Sequence, residues 1–283
     1  MSHKKAVLIT CCVAFLWSLA GWNIKMIQWS PFAIAGGRSM IAAILLLPVM
    51  IKKVIKVTPA AIGGAVCYMA FNYCFIYSTK YATSAFAIMM QYTAPVYVAI
   101  LSWMVLKEHV TKMDVMSIIA VLVGMLFFFI DSAGGGSIFG KIVAVMNGIT
   151  FAGVSFFLRI QKNENPVVSM FLGNVLSGIV GLFFMIHSTI PDGTSLAFLG
   201  LAGFLCAFTY MMYALASTGL STLETVLLPV IDPVMNPVWV FLFCGERPGA
   251  LSIAGAMVIL AAILIRGISG VPGKAFHKEK LKK

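Results

Sequence analysis

The sequence predicts an all-α membrane protein, with ten transmembrane helices arranged as two inverted five-helix repeats. Three observations predict it. Of 283 residues, 61% are hydrophobic and only 10% are charged, with a mean hydropathy of +1.00. A soluble domain averages about 25% charged residues, so this chain cannot cover a water-facing surface. Apolar runs of about 20 residues recur from end to end, each long enough to cross a hydrocarbon core of about 30 Å. They are too long for barrel strands, which alternate over short segments. Finally, two stretches of the chain echo each other at a fixed offset.

The candidate spans are 6–24, 31–51, 60–79, 83–105, 114–130, 139–158, 167–187, 195–217, 221–243 and 249–267. The first follows His3-Lys4-Lys5 and resembles a signal peptide, but it lacks a small-residue cleavage site and opens a series of spans, so it reads as retained. Turn-forming residues separate the spans: Ser30-Pro31, Thr58-Pro59, the run Gly134-Gly135-Gly136, Asn165-Pro166 and Pro191-Asp192-Gly193. Span four reads ATSAFAIMMQYTAPVYVAILSWMVLKEH and span nine LSTLETVLLPVIDPVMNPVWVFLFCGER. At an offset of 138 positions Thr83-Ser84 meets Ser221-Thr222, Pro95 meets Pro233 and Glu108 meets Glu246. Spans one and six match more weakly, with Trp17 on Phe151 and Lys25 on Arg159. Five spans is an odd number, so the second half must be upside down relative to the first, a common transporter architecture. The expected units are a first repeat at 1–133, a Gly-rich connector at 134–137, a second repeat at 138–268 and a basic tail at 269–283.

The net charge of +11 reads as topology signal rather than as a nucleic-acid surface. With the N-terminus inside, the inner side holds Lys4, Lys5, Lys52, Lys53, Lys56, Lys107, Lys112, Arg159, Lys162, Arg266 and the tail lysines. The outer side holds only Lys25, Lys80, Lys141 and Arg247. This bias puts both termini in the cytoplasm of a cell-membrane protein. The tail, with Lys274, Lys278, Lys280, Lys282 and Lys283, suits anionic headgroups. A monomer and a homodimer both remain open.

The segment LLPVIDPVMNP, Leu227–Pro237, carries the most chemistry. Proline removes a backbone donor and clashes with the preceding turn. Pro229, Pro233 and Pro237 should therefore free the carbonyls of Thr225, Pro229 and Pro233, and Pro95 that of Gln91. Freed carbonyls in lipid need partners or a wet cavity. Asp232 lies near the centre of the span, where a charged Asp costs about 3 kcal/mol, and such residues mark ion or substrate routes. Asn236, one turn on, shares its face. Glu224 is a second carboxylate, either a proton site or an interfacial group at the inner end. Arg38, about two turns into span two, either snorkels outward, pairs with an acid or holds a substrate carboxylate. Asn72, Tyr73, Gln91 and Tyr92 form a polar and aromatic set that Trp17 and Trp239 could join, and rings beside a carboxylate suit an organic cation.

Enzyme signatures are lacking. There is no P-loop, metal-ligand cluster or catalytic triad, and His3, His109, His187 and His277 fall at span ends or in tails. No cofactor or metal is expected. The six cysteines, Cys11, Cys12, Cys67, Cys74, Cys206 and Cys244, form no CxxC pair and read as buried small hydrophobes.

Several of these features carry a family resemblance. Two five-span halves, Trp17 in span one, Pro31-Phe32 then Arg38 opening span two, and a Ser/Thr–Pro–Glu pattern in spans four and nine resemble the drug/metabolite transporter superfamily, most closely its ten-span EamA-type exporters. The resemblance covers about residues 6–268. It implies a carrier that alternates access around a central cavity and exports amino acids or other small metabolites. Glu224, Asp232, Pro229 and Pro237 have no counterparts in span four and leave the substrate class open. The expected activity is secondary active export of amino acids or amines, proton-coupled through Asp232 and Glu224. The alternatives are an uncoupled facilitator and a carrier of organic anions or phosphorylated metabolites.

Overall fold

The structure is a computed structural model that describes residues 1–51, 56–106, 111–131, 136–229, 231–245, 247 and 249–269. Lys52, Lys53, Lys107, Glu108, His109, Gly134, Gly135, Glu246, His277 and the basic tail from residue 270 lie outside the described residues.

The chain runs through α1 (His3–Ser18), α2 (Ala20–Met26), α3 (Pro31–Ile51), α4 (Pro59–Tyr81), α5 (Ser84–Gln91) and α6 (Ala94–Leu101), which continues into a π-helical turn at Ser102–Leu106. There follow α7 (Lys112–Asp131), α8 (Ile138–Ile160), α9 (Val167–Ile186), α10 (Gly193–Ser217), α11 (Thr222–Leu227), α12 (Ile231–Cys244) and α13 (Ala250–Ser269). Local chemistry sets the starts. The side chains of Thr58, Thr83, Ser137 and Asp192 accept backbone N–H groups at the first turns of α4, α5, α8 and α10. Ser221 and Glu224 cap α11 reciprocally.

Among the described residues, eight helical segments are long and apolar enough to cross a membrane. Val115–Phe127 and Ala250–Ala262 are shorter apolar helices. Three of the long segments are interrupted. Spans four and nine break beside Pro95 and Pro229, as the prolines predict, whereas Pro233 and Pro237 lie within α12 without ending it. Span one is also interrupted, by a kink at Leu19 between α1 and α2 where the backbone stays in the right-handed helical region, with no proline to announce it.

Exchanging the halves preserves the main packing pairs. α4 packs on α8 as α10 packs on α1, and α4 on α9 as α10 on α3. α6 packs on α8 as α12 packs on α1, while α3 meets α9 and α7 meets α13. Small residues permit the closest crossings, since lipid gives helices no hydrophobic reason to associate. A Cβ on Gly36 of α3 would lie 2.5 Å from the Gly181 Cα of α9. The outward faces carry residues such as Leu8, Ile44 and Phe183, all exposed, as a lipid-facing surface requires.

Candidate functional site

An internal cavity of about 30 Å³ lies between α1–α2, α3, α4, α5, α10 and α12. It has room for one or two waters, so an organic ligand needs the surrounding helices to move apart. Four of the sequence-nominated residues line it: Trp17, Arg38, Gln91 and Asp232.

Arg38 is 4% exposed, which rules out snorkelling to the interface. Its Nε donates to Asn72 Oδ1 at 2.8 Å, and its Nη2 donates to the same oxygen. Asn72 is held in turn by donating to Ser39 Oγ at 2.8 Å and to the Ala35 carbonyl at 3.3 Å. Asn72 therefore sits behind Arg38 and orients it. Among the described residues no acid forms an ion pair with Arg38.

Asp232 occupies the first turn of α12 and is 1% exposed. Its Oδ1 has no hydrogen-bond partner among the described residues. The helix start is built by the prolines: the Asp232 N–H donates to the Pro229 carbonyl at 3.2 Å. Two phenols take up the carbonyls these prolines free. The Tyr92 hydroxyl, beside Asp232, donates to the Pro229 carbonyl, and that of Tyr213 to the Thr225 carbonyl at 3.3 Å. Tyr210 lies within electrostatic reach of both Arg38 and Asp232. The Asp232 carboxyl and the Arg38 guanidinium thus line one chamber without a direct ion pair.

Trp17 closes one wall. Its Nε1 donates to Thr209 Oγ1 at 2.9 Å, and its ring centroid is 5.0 Å from Tyr210 and 4.9 Å from Tyr213. Tyr68, Phe71 and Phe151 extend this aromatic floor.

The other nominated residues lie elsewhere. Asn236 shares α12 with Asp232, but its Oδ1 accepts from Ser84 Oγ at 2.9 Å and it is not among the lining residues. Tyr73 donates to the Ser177 carbonyl at 2.7 Å in the α4–α9 seam. Trp239 donates to Ser18 Oγ at 3.0 Å in the α1–α12 seam and stacks on Phe243. Glu224 accepts the Ser221 N–H at 2.7 Å and meets His3 at 3.1 Å, at the start of α11. Its carboxylate is engaged in capping, and the broken helix separates it from Asp232. Spacing on an ideal helix could not reveal this, because the break resets the rotation.

Asn23, Cys206, Thr209 and Tyr210 also line the cavity. Sequence reasoning passed over them. Asn23 falls at the end of span one, two residues from Lys25. Thr209 and Tyr210 sit in the run FTYMMY, whose polar groups in mid-span were the available signal.

Broken apolar helices around a chamber with a buried carboxyl and a buried guanidinium define the general build of a membrane carrier. The pattern of the EamA-like transporter family matches the chain twice, at residues 4–130 and 138–267. The chain belongs to that family of membrane transporters. No curated protein matches it. A solved structure titled only "Crystal structure of protein" is similar, with a TM-score of 0.73 over 94% of this chain and 97% of the other. At 16% identity that likeness speaks to the fold alone.

Proposed function

We propose that the protein is a secondary active transporter that exports a small amino-bearing metabolite, an amino acid or an amine, by alternating access. Asp232 takes either the ligand's ammonium group or a proton. The observation that carries this reading is the Asp232 carboxyl, buried against the cavity with an oxygen that no described residue bonds. A buried carboxylate without a partner is costly, and either cation relieves that cost. If both compete for one site, the chamber is charge-compensated when it turns, and flux in one direction is coupled to protons in the other.

The packing that survives exchange of the halves and the two matched segments support two five-helix repeats, ten spans in all, in inverted orientation. The Lys and Arg bias supports cytoplasmic termini. Arg38 on the same cavity supports a second reading, a carrier of small organic anions.

Proteoliposomes with an imposed pH gradient test the assignment. Wild-type protein should take up a radiolabelled amine or amino acid only with the gradient. Asp232→Asn should fold and lose that uptake. Full coupled uptake by Asp232→Asn would overturn the role of the acid. Wild-type flux indifferent to the gradient would leave a facilitator instead.

A further inference from the structure

Asn23 has a side chain whose two polar ends are both unused. It is 1% exposed, and neither its Nδ2 nor its Oδ1 has a hydrogen-bond partner among the described residues. A buried amide normally satisfies both ends, and leaving them unpaired destabilises the fold. Asn23 faces the cavity that Arg38 and Asp232 also line. The chain has gone to some length to hold it there. Span one kinks at Leu19, four residues earlier. The short helix α2 then packs tightly against span nine, and a Cβ on Gly21 would come within 2.5 Å of Asn236 Oδ1. Its far end is tied down by Lys80 Nζ donating to the Ile27 carbonyl at 2.5 Å and by the Gln28 N–H donating to Ser195 Oγ at 2.9 Å.

We propose that Asn23 is a ligand-reading residue that selects molecules carrying both a carboxylate and an ammonium group. This rests on the transporter reading above and adds a residue and a charge pattern to it. Arg38 attracts the carboxylate and Asp232 the ammonium, so a ligand with both groups keeps the chamber neutral. The Asn23 Nδ2 donates to the first group and its Oδ1 accepts from the second. A simple amine or a simple carboxylate satisfies only one end of the amide and leaves one buried charge uncompensated, so the site discriminates against both.

The test uses the full chain, purified in lipid nanodiscs, with thermal unfolding read in the presence of L-alanine, L-leucine, propylamine or propionate. A ligand that binds the folded state raises the midpoint. Wild-type protein should respond to an amino acid more than to propylamine or propionate. Asn23→Leu, of similar branched shape, should have a higher midpoint without ligand, because it removes an unsatisfied buried group. It should also need at least about tenfold more amino acid for the same rise, the loss expected for hydrogen bonds to charged groups. Asn23→Gln should retain part of the response. A lower ligand-free midpoint for Asn23→Leu would make Asn23 a packing residue and overturn the proposal. So would an unchanged amino-acid response in that variant. A wild type that prefers propylamine or propionate would overturn the paired-charge selection while leaving Asp232 or Arg38 as a binding group. A wild type that responds to none of the four overturns it as well, and proton-driven flux then decides separately whether the transporter reading stands.

Discussion

Spans four and nine are related by sequence and broken at matching places, yet the two breaks are held differently. In span four the interruption between α5 and α6 is closed from within. Thr93 donates both its N–H and its hydroxyl to the Met90 carbonyl, at 3.1 and 2.8 Å. In span nine the carbonyls of Thr225 and Pro229 are capped by phenols from other helices, Tyr213 of α10 and Tyr92 of the opposite break. The mirror position of Asp232 is Ala94. The broken helix is thus shared architecture, and the acid is confined to one copy. A break whose hydrogen bonds come from neighbours also moves with them, which suits a site that must face two sides in turn.

The strongest test of that asymmetry moves the acid. Asp232→Ala combined with Ala94→Asp should leave proton-driven transport abolished, because position 94 lacks the phenol-capped break beside it. Restored uptake in proteoliposomes would show the two breaks to be interchangeable. Next in size is Gly21→Val. A Cβ at Gly21 would crowd Asn236 Oδ1 and Nδ2 at 2.5 and 2.8 Å, and overpacking of this kind costs about 1–3 kcal/mol. Thermal unfolding should show a clear loss, whereas a change at an open lipid-facing site should not.

Smaller again are the phenol deletions. Tyr92→Phe and Tyr213→Phe each strip a donor from a proline-freed carbonyl, at about 1 kcal/mol apiece, and Tyr92→Phe should also slow transport. Thr93→Val should cost similar stability but leave transport intact, since its bond stays within span four. The smallest effect separates a capping acid from the cavity acid. The hydrogen bond with Ser195 holds the Asp192 carboxyl below its ordinary value, helped by backbone N–H groups of the first turn of α10. A depressed carboxyl stabilises the fold above the unfolded-state value, about 3.9 for Asp. That contribution is lost as pH falls through the lower folded value. Acid titration of the unfolding midpoint should show a slight drop there, absent in Asp192→Asn, which keeps a capping oxygen without a charge.

Much of the fold was legible in the sequence. Long apolar runs need no partner to identify them, since the bilayer itself selects length and composition. The broken span nine was equally plain, because proline acts on its own backbone. The site was legible only in part. Trp17, Arg38, Gln91 and Asp232 do meet on one cavity, but Tyr73 and Trp239 spend their polar ends in helix seams, and Glu224 spends its carboxylate on a cap. A buried polar residue between packed helices carries the same sequence signature as one on a chamber wall. Asn23 carried no signal of its own, since it falls at the end of span one beside Lys25.

The sequence by itself determined the membrane class, the duplicated halves and the breakpoints in spans four and nine, because each follows from local hydropathy, internal repetition or backbone covalent geometry. Tertiary structure alone decided which polar groups share a chamber and which are consumed in holding helices together. That depends on how far each helix is rotated and which neighbour it meets, and the breaks at Tyr92–Thr93 and beyond Leu227 reset that rotation in ways no fixed residue spacing encodes.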